Sequence, residues 1–171
     1  MRKDLIYITL RPVSKTEYGK VRELAEIIWP ECYKDILSPE QIDYMLKMMY
    51  SEDAIADDVA EKIRYRFIMD DTEIAGFLAW GPLIPDPPVA KLHKLYLLPE
   101  KQNQGVGSRA LELVKQQIKE AGYGYLRLNV NRHNAKAIKS YKNNGFETIQ
   151  TVNNDIGSGY FMNDYVMETG L

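Results

Sequence analysis

Residue types that build metal centres and disulfides are scarce in this sequence. Its 171 residues include one cysteine, Cys32, and two histidines, His93 and His133. A single cysteine excludes a disulfide within the chain, and so few thiols and imidazoles leave little with which to bind zinc. The sequence therefore predicts no metal site.

An excess of positive charge is also lacking, since the formal net charge is -2. Proteins that bind nucleic acid or anionic membranes usually carry a basic excess. No apolar run approaches the ~20 residues that cross a bilayer, and the first residues lead into a short strand pattern without a signal-peptide core. We expect a cytoplasmic protein that binds neither nucleic acid nor membrane.

The composition is typical of one globular domain spanning residues 1–171. Hydrophobic residues make up 45% of the chain and charged residues 27%, values that allow a real core and argue against disorder. The four prolines between residues 82 and 88 predict a stiff excursion without regular structure. Neither side of that excursion is long enough to suggest a second core, so we predict no domain boundary there.

Hydrophobic periodicity and turn residues predict alternating strands and helices. Ser14 and Glu17 form a capping-box pattern before a helix that Pro30 should end, and Ser38 caps a second helix. The segment 51–62 predicts at most a turn or two of helix. Strands are expected at 5–10, 64–69, 73–81, 92–98, 125–130, 146–152 and 160–168, with helices after residues 102 and 134 and a loop at 153–159. This order predicts an α/β (α+β) fold, a mixed sheet covered by helices on both faces.

Residues 92–107, LHKLYLLPEKQNQGVG, carry the strongest functional signal. An apolar strand is stopped by Pro99, and a polar turn with Gly105 and Gly107 leads into a helix. Glycines let the backbone turn tightly and approach a ligand, while the amide hydrogens lie at the positive end of the helix dipole. Such a turn favours binding of an anion, most naturally a phosphate.

The same turn satisfies the dinucleotide fingerprint G-x-G-x-x-A from Gly105 to Ala110, so a dinucleotide-dependent oxidoreductase is a distant alternative. Its first glycine should stand at the strand end, however, and here a polar segment separates it from Pro99. An acidic residue is expected ~20 positions further on, where the chain has Asn129, Asn131 and Arg132. A Walker A loop is excluded because no Lys-Ser or Lys-Thr follows the glycines.

A second informative stretch spans residues 131–146, where Asn134, Ile138 and Tyr141 fall on one face of a short predicted helix. Together with the Gln-x-x-Gly-x-Gly turn, it resembles the acetyl-CoA motif of the GCN5-related N-acetyltransferase (GNAT) superfamily. The resemblance runs from about residue 92 to residue 146 and is weak elsewhere. It implies a single-domain GNAT-like sheet, mostly antiparallel, with a splayed parallel strand pair at the cofactor site.

The resemblance also implies that acetyl-CoA is the co-substrate and which residues bind it. The strand would offer its backbone to the pantetheine arm, the turn would surround the pyrophosphate, and Asn134 would hydrogen-bond the arm. Lys142 is a candidate for the 3′-phosphate. The implied cofactor-binding residues are Leu95, Tyr96, Leu97, Gln102, Asn103, Gln104, Gly105, Val106, Gly107, Ser108, Asn134 and Lys142.

The catalytic residue implied by the resemblance is Tyr141, whose phenol would face the thioester sulfur. A phenol of ordinary pKa ~10 stays protonated at neutral pH and can donate to a departing thiolate. A half-buried structural tyrosine is the alternative. The general base is left open. Strand alternation places His93 on the same face as Leu95 and Leu97, but a structural histidine or a water chain is the more cautious expectation.

The acceptor is expected to be a small-molecule primary amine that attacks directly in a ternary complex, without an acetyl group carried on Cys32. Its pocket should be aromatic with scattered carboxylates, a composition that suits a cation. The segments expected to form it contain Trp29, Tyr33, Tyr44, Met45, Trp80, Gly81, Asp155 and Tyr160. Parts of the chain resemble bacterial small-molecule and polyamine acetyltransferases. A homodimer is possible. The main alternative to an enzyme is a catalytically silent CoA-binding or sensor module of the same fold.

Overall fold

The computed structural model describes residues 4–85 and 88–171, which form one mixed sheet with helices on both faces. The strands are β1 (Ile8–Pro12), β2 (Arg64–Asp70), β3 (Glu73–Pro85), β4 (Pro88–Leu97), β5 (Tyr125–Asn131), β6 (Glu147–Gly157) and β7 (Tyr160–Gly170). The helices are α1 (Tyr18–Tyr33), α2 (Pro39–Tyr50), α3 (Glu52–Ala60), α4 (Val106–Glu120) and α5 (Ala135–Asn143). No helix in these ranges is long and apolar enough to span a bilayer.

The seven strands lie in the order β1-β2-β3-β4-β5-β7-β6. Every neighbouring pair is antiparallel except β4 and β5, which are parallel. One hydrophobic core packs α4 against one face of the sheet, and a second core packs α1, α2 and α3 against the other. The predicted fold class, mostly antiparallel with one parallel pair and helices on both faces, is confirmed.

Local capping residues act as the sequence predicts. Glu17 accepts a hydrogen bond from the Ser14 amide at 3.1 Å, and Ser38 Oγ accepts one from the Gln41 amide at 3.1 Å. Such bonds satisfy amide hydrogens that have no partner within the first turn of a helix. Ser51 caps α3 in the same way, so this segment forms a full nine-residue helix and the expectation of one or two turns was too short.

Pro30 does not end the first helix, contrary to the prediction. It lies inside α1, which continues to Tyr33, although a proline inside a helix costs about 3 kcal/mol. The last turn is held by aromatic packing: the ring of Trp29 lies 4.7 Å from Tyr33, 5.7 Å from Tyr50 and 5.7 Å from Tyr96, centroid to centroid. Burial of these rings offsets the lost backbone hydrogen bond.

The prediction that the proline-rich segment has no regular structure is wrong for the described residues, because β3 runs to Pro85 and β4 begins at Pro88, which pairs with Pro85. Pro82 pairs with Ala90 in the strand register, which shifts between Pro82 and Ile84. The last β2 partner of β3 is Trp80, so the prolines stand where β3 has a neighbour on one side only. Edges and bulges are where strands tolerate proline. Pro87 lies outside the described residues.

Two further boundaries differ from the prediction. Residues Leu5–Tyr7 form a 3-10 turn rather than strand, because β2 ends at Asp70, opposite Ile8, and the chain beyond it turns after one further hydrogen bond, from the Asp71 amide to the Tyr7 carbonyl at 3.0 Å. The expected loop at 153–159 is largely strand, since β6 runs to Gly157 and pairs with β7. Only Ser158 and Gly159, both with positive φ, turn the chain between them.

Candidate active site

The sheet opens between its two parallel strands. Strands β4 and β5 pair only from Val89 to Leu92 and from Tyr125 to Leu128. A register shift lies at the end of this ladder, where Trp80 of β3 pairs with Leu92 and Ala79 with Lys94. A bulge bends its strand and ends regular pairing, so the two strands separate beyond this point.

A cavity of about 620 Å³ occupies the opening and reaches both faces of the sheet. On the face of α4, its walls include the glycine turn and α5. On the opposite face, its walls come from α1, α2 and the β6–β7 hairpin. A molecule bound in the opening can therefore extend from the turn, between the strands, to the helices on the far side.

The turn before α4 forms a cradle at one end of the cavity. Asn103 and Gly105 have φ values of 59° and 82°, left-handed conformations that a helix cannot contain. Helix α4 consequently begins at Val106, four residues later than the pattern from Gln102 suggested. The side chain of Gln102 donates to the Leu97 carbonyl at 3.1 Å and accepts from Lys136 Nζ at 3.1 Å, linking the turn to β4 and α5.

The cradle fits the pyrophosphate of acetyl-CoA on chemical grounds. The first amide hydrogens of a helix lack partners within the helix and favour an anion. A Cβ on Gly107 would lie 3.4 Å from Leu97 Cδ1, an ordinary van der Waals contact, so the first turn of α4 lies directly beside the end of β4. The unpaired edge of β4 beyond the bulge leaves backbone groups that could bind the amides of a pantetheine arm.

Most of the predicted cofactor-binding residues come together around the cavity. Those that line it are Leu95, Tyr96, Leu97, Gln102, Asn103, Gly105, Gly107, Ser108 and Asn134. Gln104 instead donates to the Glu100 carbonyl at 2.7 Å, the Val106 side chain is buried in the core, and Lys142 is exposed in the last turn of α5. Asn134 Oδ1 caps α5 by accepting from the Ala137 amide at 3.2 Å, so its amide nitrogen is the group it offers the cavity.

Tyr141 lines the cavity from α5 and is half-buried. Its ring packs edge-on against Phe146, with centroids 5.5 Å apart, while its hydroxyl forms no hydrogen bond to any group of the described chain. Burial, and secondarily the charge of Cys32, raises the pKa of Tyr141 above its ordinary value. The phenol therefore remains protonated at neutral pH, with its hydrogen free to be donated.

His93 also lines the cavity, but not in the way the sequence predicts. It lies at the bulge, between Leu92 and Lys94, both of which pair with β3. The bulge resets the alternation of β4, so His93 does not share the face of Leu95 and Leu97 through regular pleating. Burial, followed by the charges of Lys91 and Lys94, lowers its pKa to about 4, which makes it a weak base.

The low pKa of His93 predicts acid sensitivity of the fold. Because its pKa is about 4 when folded and ordinarily 6.5, the unfolded chain binds more protons between these values. Stability should therefore fall as the pH drops from 6.5 towards 4, by roughly 1–2 kcal/mol after allowance for partial exposure. Thermal melts at pH 7.5 and pH 5 measure this loss, and His93→Gln should lose less than the wild type. Equal losses would contradict the prediction.

The part of the cavity between α1, α2 and the β6–β7 hairpin is where the acceptor is expected, and we call it the acceptor side. It agrees only partly with the predicted pocket. Trp29, Tyr33 and Met45 line it, whereas Tyr44 and Trp80 do not. Tyr44 donates to the Ile156 carbonyl at 2.7 Å, which fastens α2 to β6. Trp80 is buried in the opposite core. Gly81, Asp155 and Tyr160 are likewise absent from the lining, so the expectation of scattered carboxylates from the hairpin loop was wrong.

Two charged groups in the lining were missed by sequence reasoning. Lys94 is buried, and its Nζ donates to Asp58 Oδ2 at 3.1 Å, a carboxylate that also accepts from Tyr65 at 2.5 Å. Burial lowers the pKa of Lys94, and Asp58 opposes that change. Asp164 of β7 is 3% exposed. An acidic residue in an otherwise apolar alternation from Met162 to Val166 was the signal that could have found it.

A sheet opened between two parallel strands, with a glycine turn and a tyrosine at the opening, defines an acetyl-CoA-dependent N-acetyltransferase. The chain belongs to the Acetyltransferase (GNAT) family, whose sequence profile matches residues 21–146. The predicted family, enzyme class and fold are confirmed.

Individual proteins are similar to this chain in sequence or in fold. The spermidine N(1)-acetyltransferase of Thermoplasma acidophilum is 26% identical over 153 residues, covering 86% of this chain and 93% of the relative. The crystal structure of PaiA N-acetyltransferase from Thermoplasma acidophilum in complex with coenzyme A superposes with a TM-score of 0.79 at 24% identity, covering 96% of this chain and 99% of that one. A GCN5-related N-acetyltransferase structure from Rhodopseudomonas palustris gives 0.79 at 16% identity and 96% coverage of both chains.

Proposed function

We propose that this protein transfers the acetyl group of acetyl-CoA to a primary amine of a small molecule. The observation that carries the proposal is the cavity itself, which joins the glycine turn, the unpaired edge of β4 and Tyr141 to aromatic side chains of α1 on the opposite face of the sheet. Such a passage lets two molecules meet inside the sheet. The name of the Thermoplasma relative supports an amine acceptor.

In this proposal the residues lining the α4 face hold acetyl-CoA, which supplies the acetyl thioester. The first-turn amides of α4 bind the pyrophosphate, and the free edge of β4 at Leu95 and Leu97 aligns the pantetheine arm. Lys136 and Lys139 also line this end of the cavity and provide charge for phosphates. Lys142 remains a predicted ligand of the 3′-phosphate, and it lies outside the cavity lining.

Tyr141 is the proposed proton donor to the leaving thiolate. When the amine nitrogen bonds to the acetyl carbon, the carbon–sulfur bond breaks and negative charge develops on sulfur. A protonated phenol with no competing partner among the described residues is free to donate to that charge. Its burial strengthens the interaction, because charge is screened less in a dry site.

Direct attack is favoured over an acetyl group carried on the enzyme. Cys32 lines the cavity, but burial is the main cause that raises the pKa of its thiol. The thiolate is the nucleophilic form of cysteine, so this side chain is poorly suited to accept an acetyl group. A ternary complex of protein, acetyl-CoA and amine is the simpler arrangement.

Two measurements test the proposal. Calorimetric titration should show binding of acetyl-CoA and no comparable binding of NADH, and free thiol should be released when amines are added with acetyl-CoA. Tight binding of NADH with no binding of acetyl-CoA would overturn the assignment. If acetyl-CoA binds but no amine, peptide or aminoglycoside is acetylated, the protein is a CoA-binding module rather than an enzyme.

A further inference from the structure

We propose that the acceptor is a primary amine with a single positive charge and an apolar body, and that Asp164 receives its ammonium group. This inference rests on the proposed function and names the substrate class of the same site. It separates this protein from an enzyme built for a polyamine, although a relative bears the name of one.

Asp164 lies on the floor of the acceptor side. It pairs with Asn131 of β5 and with Val152 of β6, and paired residues project to the same face of a sheet. Leu128 and Val130 of β5 are buried in the core beneath α4, so their neighbour Asn131 projects to the opposite face, towards α1 and α2. Asp164 therefore projects to that face as well and lines the cavity there.

Charge in the cavity allows for one ammonium group and no more. Among residues 4–85 and 88–171, Asp164 is the single carboxylate of the lining, whereas Lys91, Lys94, Lys136 and Lys139 all line it. Lys136 and Lys139 belong to α5, on the cofactor side. On the acceptor side, Lys94 is already paired with Asp58, at 3.1 Å. A second ammonium group would still meet Lys91 without a further carboxylate of the lining to offset it, and a buried unpaired charge is costly.

The remaining acceptor walls suit an apolar body. The apolar side chains that line this side are Ile28, Trp29, Leu37, Met45, Met49, Phe161 and Met162. Contacts of this kind stabilise hydrocarbon in proportion to the area removed from water, and methionine adapts to irregular shapes. An alkylamine or arylalkylamine has one group for Asp164 and a remainder that these side chains can cover.

Asp164 is also suited to take the proton that the acceptor must lose. Burial raises the pKa of this carboxyl, while a hydrogen bond from Asn129 and the charge of Lys91 oppose the change. One proton passes from the ammonium nitrogen to the carboxylate. The freed lone pair then bonds to the acetyl carbon as the carbon–sulfur bond breaks and Tyr141 donates its proton to the departing sulfur. The nitrogen loses a second proton, which restores the Tyr141 phenol, and the Asp164 carboxyl releases its proton to solvent after the product leaves.

The matched test compares n-hexylamine with 1,6-diaminohexane, which has the same chain length and a second ammonium group. With acetyl-CoA saturating, kcat/KM for the monoamine should exceed that for the diamine by at least tenfold per reactive amine, and spermidine should be a poorer substrate still. A diamine or spermidine that equals the monoamine overturns the inference. Phenylalanine has a carboxylate that 2-phenylethylamine lacks. Preference for phenylalanine would therefore also overturn the inference, because it would assign Lys91 to binding a substrate carboxylate.

Variants locate the effect. Asp164→Asn keeps the shape of the side chain and should lower kcat/KM for n-hexylamine by about 100-fold or more, with acetyl-CoA affinity unchanged. An unchanged kcat/KM would remove Asp164 from the site.

A second variant tests the charge argument by adding a carboxylate to the cavity. Phe161 lines the cavity and is 47% exposed, so Phe161→Glu should fold and raise the ratio of kcat/KM for the diamine to that for the monoamine by about tenfold. Ile149→Glu is the control, at a position 49% exposed and outside the lining. Equal ratios in both variants would contradict the charge argument.

The failures of the two proposals are distinguishable. If acetyl-CoA binds and no amine at all is acetylated, the proposed function fails and this inference fails with it. If amines are acetylated and polycations are preferred, the acetyltransferase proposal stands and only the assignment of substrate class is overturned.

Discussion

Replacing Tyr141 with phenylalanine is expected to lower kcat by about 10²- to 10⁴-fold, the usual contribution of a general acid, and to leave the acetyl-CoA affinity nearly unchanged. The phenol interacts strongly only as negative charge develops on sulfur, so its loss affects the transition state more than the bound reactants. The measurement is steady-state kinetics with acetyl-CoA titrations by calorimetry.

The fold should tolerate this change. The Tyr141 hydroxyl has no hydrogen-bond partner among the described residues, so its removal leaves no buried group unsatisfied and should alter stability by about 1 kcal/mol or less. Tyr123→Phe is the matched control, because Tyr123 is half-buried and packs on Trp80, with centroids 6.0 Å apart, away from the cavity. A Tyr141→Phe variant with wild-type kcat would make the tyrosine structural.

Features fixed by neighbours along the chain could be predicted from the sequence. The caps at Ser14 and Ser38 depend on residues three positions away, and the glycine turn depends on Gly105 and the residues around it. The turn and the helix of Tyr141 also come together in the structure as the family resemblance implies. For the caps and the glycine turn, the physical cause lies within one or two turns of backbone.

Features fixed by distant packing could not be predicted in this way. Pro30 looks like a helix end until the rings of Tyr50 and Tyr96 are placed against Trp29. The bulge at His93 arises from pairing with β3 and interrupts the alternation from which the face of that residue is predicted. The alternation of β7 marks Asp164 as unusual, but Asp164 belongs to the site only because β7 pairs with β5, and the alternation does not reveal that partner.

Gly76 illustrates how a residue outside the site can control it. It lies in β3 opposite Leu97 of β4, and a Cβ at this position would overlap the Tyr96 carbonyl oxygen and lie 2.9 Å from Leu97 Cα. Both atoms belong to the backbone, so no side chain can rotate away to make room. Glycine within a strand often marks such a close approach of another backbone.

Gly76→Ala is therefore expected to displace the strand that offers its backbone to the pantetheine arm. Overpacking a core usually costs 1–3 kcal/mol, and a clash with backbone belongs at the upper end, so the melting temperature should fall by about 6–12 °C. A displacement of about 1 Å can reduce activity by about 10²-fold, and acetyl-CoA binding should weaken with it. Gly124→Ala is the control, because a Cβ there meets no atom within 4 Å. If Gly76→Ala melts and binds acetyl-CoA like Gly124→Ala, then β4 can move without cost, and the close packing of β3 against β4 does not set the position of the cofactor strand.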